Sequence, residues 1–158
     1  MINETSLDAF PPPEMAERAE QAGVKKANLD FWSMLALAVL AGSFIALGAE
    51  FCTVVTTDSG LGYGLNKLLG GLVFCLGLIL VVVAGAELFT GNNLIMMAWV
   101  SRKLSLGSVM RNWIVVYAGN LAGSVATAVL VYFTRQWSFS SYQVGATALN
   151  IANAKVNL

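Results

Sequence analysis

Between Leu68 and Ser101 the chain carries a single charged side chain, Glu87. As one straight helix these roughly 34 residues would extend about 50 Å. That is longer than the ~30 Å hydrocarbon core of a bilayer, even with tilt. Something must interrupt the segment, and only AGAELFTGNN, Ala84 to Asn93, has the composition to do so. Two arrangements satisfy the length. In one, the span ends at Glu87 and LIMMAWV lies along the membrane interface. In the other, the helix breaks inside the membrane, over residues 86–92, and restarts near Gly91. Non-helical backbone at that depth is tolerated only where protein or a wet cavity surrounds it.

A membrane setting follows from the rest of the sequence. Apolar residues make up 57% of the chain and charged residues 11%, against about 25% charged in soluble domains. The formal net charge is zero, so there is no bulk attraction to nucleic acid. There is no histidine, which removes the usual acid–base side chain and the commonest transition-metal ligand. No metal, no cofactor and no enzymatic nucleophile–base pair is expected. Cys52 and Cys75 sit in or beside apolar segments and read as small packing residues.

Residues 1–30 read as a cytoplasmic segment. The first dozen lack a pattern and are expected to be flexible. PPPEMAERAEQAGVKKA follows as a short amphipathic helix. Pro13 suits its first turn, Glu14 and Glu17 its N-terminal half, and Lys25 and Lys26 its end. Met15, Ala19 and Ala22 offer an apolar stripe. The helix is either solvated or a movable cap on the membrane face.

Residues 31–134 read as the membrane domain, with spans at about 31–50, 68–101 (broken at 86–92) and 113–134. FCTVVTTDSGLGYGLNK, between the first two, reads as a loop with a short extended piece at residues 52–57. Gly119 and Gly123 form a GxxxG pair that allows close helix approach. Asn120, polar inside the third span, is expected to face a neighbouring helix. Residues 135–158 read as an external polar segment. Arg18, Lys25, Lys26, Arg102, Lys103 and Arg111 fall on one side and only Lys67, Arg135 and Lys155 on the other, so the N-terminus is expected in the cytoplasm. The four tryptophans fall near span ends, as interfacial anchors do.

If the break is real, its residues acquire roles. A helix restarting near Asn92 presents unpaired backbone N–H groups and a positive dipole end. Thr90 adds a hydroxyl able to donate or accept. Asn92 and Asn93 are expected to satisfy loop backbone, with Gly91 counted among the loop's supporting residues. Glu87 is expected to accept hydrogen bonds from backbone or a partner side chain, because a free carboxylate in hydrocarbon is costly. Phe74 and Leu78, four apart, and Leu88 and Phe89 in the loop can form narrow apolar constrictions, which favour a small or neutralised solute. Each also fits ordinary helix packing.

VVAGAELFTG, Val82 to Gly91, resembles the signature of the formate–nitrite transporter family. PPPEMAERAEQAGVKKA is similar to that family's N-terminal helix. VVTT at 54–57 and KLLGGLVFCLGLILVV at 67–82 resemble its formate-channel branch. RNWIVVYAGNLAGS, Arg111 to Ser124, resembles its third span, and GATALNIANAKV the external segment before its fourth. The resemblance covers nearly the whole chain.

It implies an aquaporin-like channel of six spans built as two inverted repeats, this chain being one half, in a homo-oligomer, a pentamer with one pore per protomer. It implies a prokaryotic inner membrane as location, the lipid bilayer and small monovalent weak-acid anions as partners, and formate as first substrate before nitrite or hydrosulfide. By position Phe74, Leu78, Leu88 and Phe89 match pore-constriction residues. Thr90 matches a threonine facing a chamber histidine, and Lys155 matches an outer basic residue that concentrates anions. The second repeat and its histidine are absent here. The chain is therefore expected to be the N-terminal part of a full-length channel. The alternatives are one half of a split protein, needing a second half-chain, or a non-transporting assembly subunit. A neutral-solute channel of the aquaporin type is disfavoured, since paired Asn-Pro-Ala motifs are missing.

Overall fold

A computed structural model describes residues 10–156; most of the stretch expected to be flexible lies outside them. The described residues form an all-helical array. Helix α1 is Pro12–Ala27, α2 Phe31–Thr56, α3 Tyr63–Val83, α4 Ile95–Val100, α5 Leu106–Phe133 and α6 Gln143–Val156. Short 3-10 turns precede α4 (Gly91–Leu94) and α6 (Gln136–Ser138). Three helices, α2, α3 and α5, are long and apolar enough to cross a membrane. Their outward leucines and valines, such as Val83 at 81% and Leu130 at 68% exposure, would be a liability in water. In lipid they are ordinary surface.

Helix starts follow local chemistry. The Asp30 carboxylate accepts from the Ser33 amide at 2.9 Å and the Ser105 hydroxyl from the Ser108 amide at 3.2 Å, each satisfying an orphan donor of the first turn. Pro12 and Pro13 open α1, where a missing N–H costs nothing. The side of α1 that packs is Gly23 and Ala27, not the Met15–Ala19–Ala22 stripe; Met15 is 52% exposed. Gly23 lies on α4, where an added Cβ would stand 3.2 Å from the Ile95 Cα.

Two expectations about the 50–68 region are corrected. The extended piece at residues 52–57 is helix, and α2 runs on to Thr56. The hydroxyls of Thr53, Thr56 and Thr57 donate back to the carbonyls of Ala49, Cys52 and Thr53 at 2.9, 2.8 and 2.7 Å, so these β-branched polar residues are satisfied within the helix. Helix α3 likewise starts at Tyr63 rather than near Leu68. Its Gly70 packs against Thr56 and Cys52, which holds both extensions together. On the third span, Ser105 starts α5 well before Trp113. The polar tail folds as α6 over most of its length.

Helix α2 is central, packed on α3 along one side and α5 along the other. The α2–α5 crossing depends on glycine. A Cβ on Gly42 would fall 2.1 Å from the Asn120 carbonyl oxygen, and one on Gly123 2.0 Å from that of Val39. The GxxxG pair of α5 thus meets a small-residue face of α2. Backbone-to-backbone approach of this kind replaces the hydrophobic drive that lipid cannot supply.

Candidate functional site at the helix break

Gly85 ends α3. At φ +61° it takes the left-handed conformation that only glycine adopts without cost. The Gly85 amide donates to Val82 O at 3.2 Å and the Ala86 amide to Val81 O at 2.9 Å, the paired bonds of a Schellman stop. Ala86 then packs on Val81 and on Ala41 of α2, the apolar contact that accompanies this motif. The chain next runs non-helically to Thr90 before the 3-10 turn restarts it. The restart is brief: four residues of 3-10 helix and six of α4. Its dipole is correspondingly small.

Asn120 holds the non-helical stretch. Its amide nitrogen donates to Glu87 O at 2.9 Å and Ala38 O at 2.8 Å, and its amide oxygen accepts from the Phe89 N–H at 2.9 Å. The Glu87 amide donates to Leu37 O of α2 at 3.2 Å. Asn120 lies at the midpoint of Leu106–Phe133, so the break sits level with the middle of α5.

Glu87 is 3% exposed, and its two carboxylate oxygens are both occupied. Oε1 accepts from Lys26 Nζ of α1 at 2.7 Å, and Oε2 from Asn92 Nδ2 at 2.7 Å. Asn92 Nδ2 also donates to Asn112 Oδ1 at 2.9 Å, and Asn112 Nδ2 to Lys26 O at 3.2 Å. The four residues close a ring joining the end of α1, the break and α5. Sequence reasoning assigned Asn92 and Asn93 to the loop backbone. Instead the Asn92 side chain serves the carboxylate, Asn93 is exposed, and the loop backbone is satisfied by Asn120 and Leu37.

Leu78 and Val82 of α3, Leu88, Thr90 and Gly91 of the break, and Lys26 line one groove of about 320 Å³. Leu78, Leu88 and Thr90 are therefore brought together. Phe74 is not with them; it lines a separate hollow of about 420 Å³ with Lys67, Gly71, Thr56 and, from α6, Thr147 and Ile151. Lys155 stands one turn beyond Ile151 on the same helical stripe as Thr147, in the last turn of α6. Phe89 turns the other way, edge-on to Trp113 and Tyr117 at centroid distances of 6.1 and 5.6 Å, and packs on the Met34–Ala38–Val116 cluster. On this chain its ring is a wedge between the break and α5.

Four residues of the site were missed or underused. Lys67 registered only as a topology charge and Lys26 only as that and as a favourable helix-end charge, with nothing in their neighbours marking them for the site. Asn112 gave no signal. Asn120 did, as an amide inside an apolar span.

The profile of the family described as "Formate/nitrite transporter" matches residues 13–158. The "Formate channel FocA" of Escherichia coli (strain K12) is 38% identical over 99% of this chain and 55% of its own length. The "Uncharacterized transporter YrhG" of Bacillus subtilis (strain 168) is 46% identical over 74% of this chain and 45% of that relative. The chain thus spans about half the length of the curated relatives it matches. Among solved structures, a "Pentameric formate channel with formate bound" superposes with a TM-score of 0.76 at 44% identity, over 81% of this chain and 51% of the other. An "FNT family ion channel" has the same fold with a TM-score of 0.72 at 23% identity, over 78% and 51%. A broken span with its amide clamp, within a match that extends from the first proline helix to the last helix, places the chain in the formate/nitrite transporter family.

Proposed function

We propose that this chain forms one wall of a transmembrane pathway for small monovalent weak-acid anions, formate foremost. The carrying observation is the groove at the break, where Leu78, Leu88 and Thr90 meet beside backbone freed from its helix. Support comes from the Escherichia coli relative, named a formate channel, and from the solved pentameric formate channel. The pathway lies in a prokaryotic inner membrane with the N-terminus cytoplasmic, by the bias of its basic residues, and its assembly is a homo-pentamer like the solved relative. Lys67 beside Phe74, and Lys155 further along α6, raise the local anion concentration at one mouth. Partial dehydration follows at the apolar side chains, with the Thr90 hydroxyl as a replacement hydrogen-bond partner. The family resemblance sets a second repeat, bearing a histidine across from Thr90, as the opposite wall. Leu78, Leu88 and Thr90, and further along Phe74 and Lys155, belong to the path, and Glu87, Phe89 and Asn92 to its support.

Anion flux into liposomes carrying the full-length gene product tests this. Formate uptake is expected, weakened by Lys155→Ala and altered in selectivity by Leu78→Ala. Nitrite or hydrosulfide uptake without formate would replace the substrate. No anion flux from intact rings would leave an assembly subunit as the reading.

A further inference from the structure

We infer that Asn120 is a positioning residue for Leu88, and that it sets selectivity in the groove without touching the solute. This rests on the anion-path reading above. A side-chain amide carries a donor and an acceptor in one plane, like a peptide group. Asn120 uses them as a neighbouring strand would: it donates to Glu87 O and accepts from Phe89 N–H, both at 2.9 Å. These two groups flank Leu88, so both peptide units around its Cα are pinned while its side chain stays free to enter the groove with Leu78 and Thr90.

The second amide hydrogen of Asn120 goes to Ala38 O at 2.8 Å. Its own backbone carbonyl lies where a Cβ on Gly42 would clash. The clamp is therefore registered against α2 at one of the tight contacts of the helix crossing. The bonding capacity of the amide is used on backbone groups, which ties it to geometry rather than to a ligand. If the clamp is lost, Leu88 is free to swing, and the groove admits a solute one methyl group larger.

The experiment compares formate and acetate permeability in liposomes for the full-length protein, Leu88→Ala, Asn120→Ala and the double variant. Each single variant is expected to lower the formate-to-acetate ratio roughly tenfold, the scale of discrimination that one carbon supplies in an apolar site. The double variant is expected to fall no further. An unchanged ratio in an intact Asn120→Ala ring, or losses that multiply in the double variant, would overturn the inference. Asn120→Ser is the second variant should alanine fail to assemble. Failure of both to assemble would also overturn it, because it would assign Asn120 to α2–α5 packing through Ala38. Should the parent protein pass neither anion, the function reading falls separately. The clamp is then read by hydrogen exchange at Phe89, expected to accelerate in Asn120→Ser; an unchanged rate would count against it.

Discussion

Lys26, in the last turn of α1, places its ammonium 2.7 Å from Glu87 Oε1 in the broken span. One end of α1, which is not among the three candidate membrane spans, thus neutralises the only charge between Leu68 and Ser101. The Lys26 side chain is 31% exposed and that of Glu87 4%, so the pair is buried at its acidic end and wet at its basic end.

Breaking this pair from the basic side leaves a buried carboxylate with Asn92 alone. Lys26→Ala is expected to cost roughly 2 kcal/mol, between the values typical of exposed and buried pairs. Glu87→Gln retains a partner for Asn92 and is expected to cost less. Lys26→Met combined with Glu87→Gln is expected to recover much of the loss. Denaturant unfolding of the detergent-solubilised protein measures this, and strictly additive losses would contradict the pairing.

The α2–α5 crossing predicts a contrast between glycines. Gly42→Ala and Gly123→Ala force backbone apart and are expected to destabilise by about 1–3 kcal/mol each, the cost of overpacking. Gly71→Ala meets nothing within 4 Å on α3 and is expected to be neutral or to gain up to ~1 kcal/mol from helix propensity. Thermal unfolding in one detergent ranks the three, and equal losses at Gly71 and Gly123 would refute the packing argument.

Gly85 shares the open space of Gly71 but differs in its backbone, held at φ +61°. An alanine there bears the left-handed penalty of roughly 1–2 kcal/mol. A Gly85→Ala protein is expected to unfold earlier by that amount, and a substitution without effect would show that the Schellman stop is dispensable.

Glu20 of α1 accepts from Ser101 Oγ at 2.5 Å and pairs with Lys103, tying α1 to the turn before α5. The Lys103 bond, then the Ser101 bond, hold the Glu20 carboxyl below its ordinary range. The Glu20 bond raises Lys103 above its own. A depressed carboxylate contributes above its unfolded pKa and loses that contribution as pH falls through the folded value. A raised ammonium contributes below its unfolded pKa and loses it as pH rises through the folded one. The tether is therefore expected to hold through neutral pH and fail only towards acid and strong alkali. Amide exchange in α1 is expected to rise on acidification, and Glu20→Gln to remove that component. An acid response identical in the variant would place its origin elsewhere.

Much of this architecture was legible without coordinates. The excess length of 68–101 against a bilayer required an interruption, and AGAELFTGNN was the only place for it. The small residues of α5 announced a close crossing, and Asn120 a polar contact within it. The loop at 51–67 is confined to residues 57–62, and its start was misjudged because threonine favours turns and strands in isolation. In a helix whose carbonyls accept their hydroxyls, and with Gly70 of α3 close by, the same residues extend α2.

What the sequence determined by itself was local or set by the solvent: three apolar helices and the need for a break between Ala84 and Asn93. These follow from bilayer thickness, side-chain hydropathy and backbone sterics, none of which needs a distant partner. Only the tertiary structure decided that Lys26 answers Glu87, that Asn120 clamps both sides of Leu88, and that Phe89 points to α5 while Leu88 joins Leu78. Those pairings join residues tens of positions apart. Periodicity gives the face a side chain occupies on its own helix, but which atoms meet depends on how closely α2 and α5 approach and on the angle at which α1 returns.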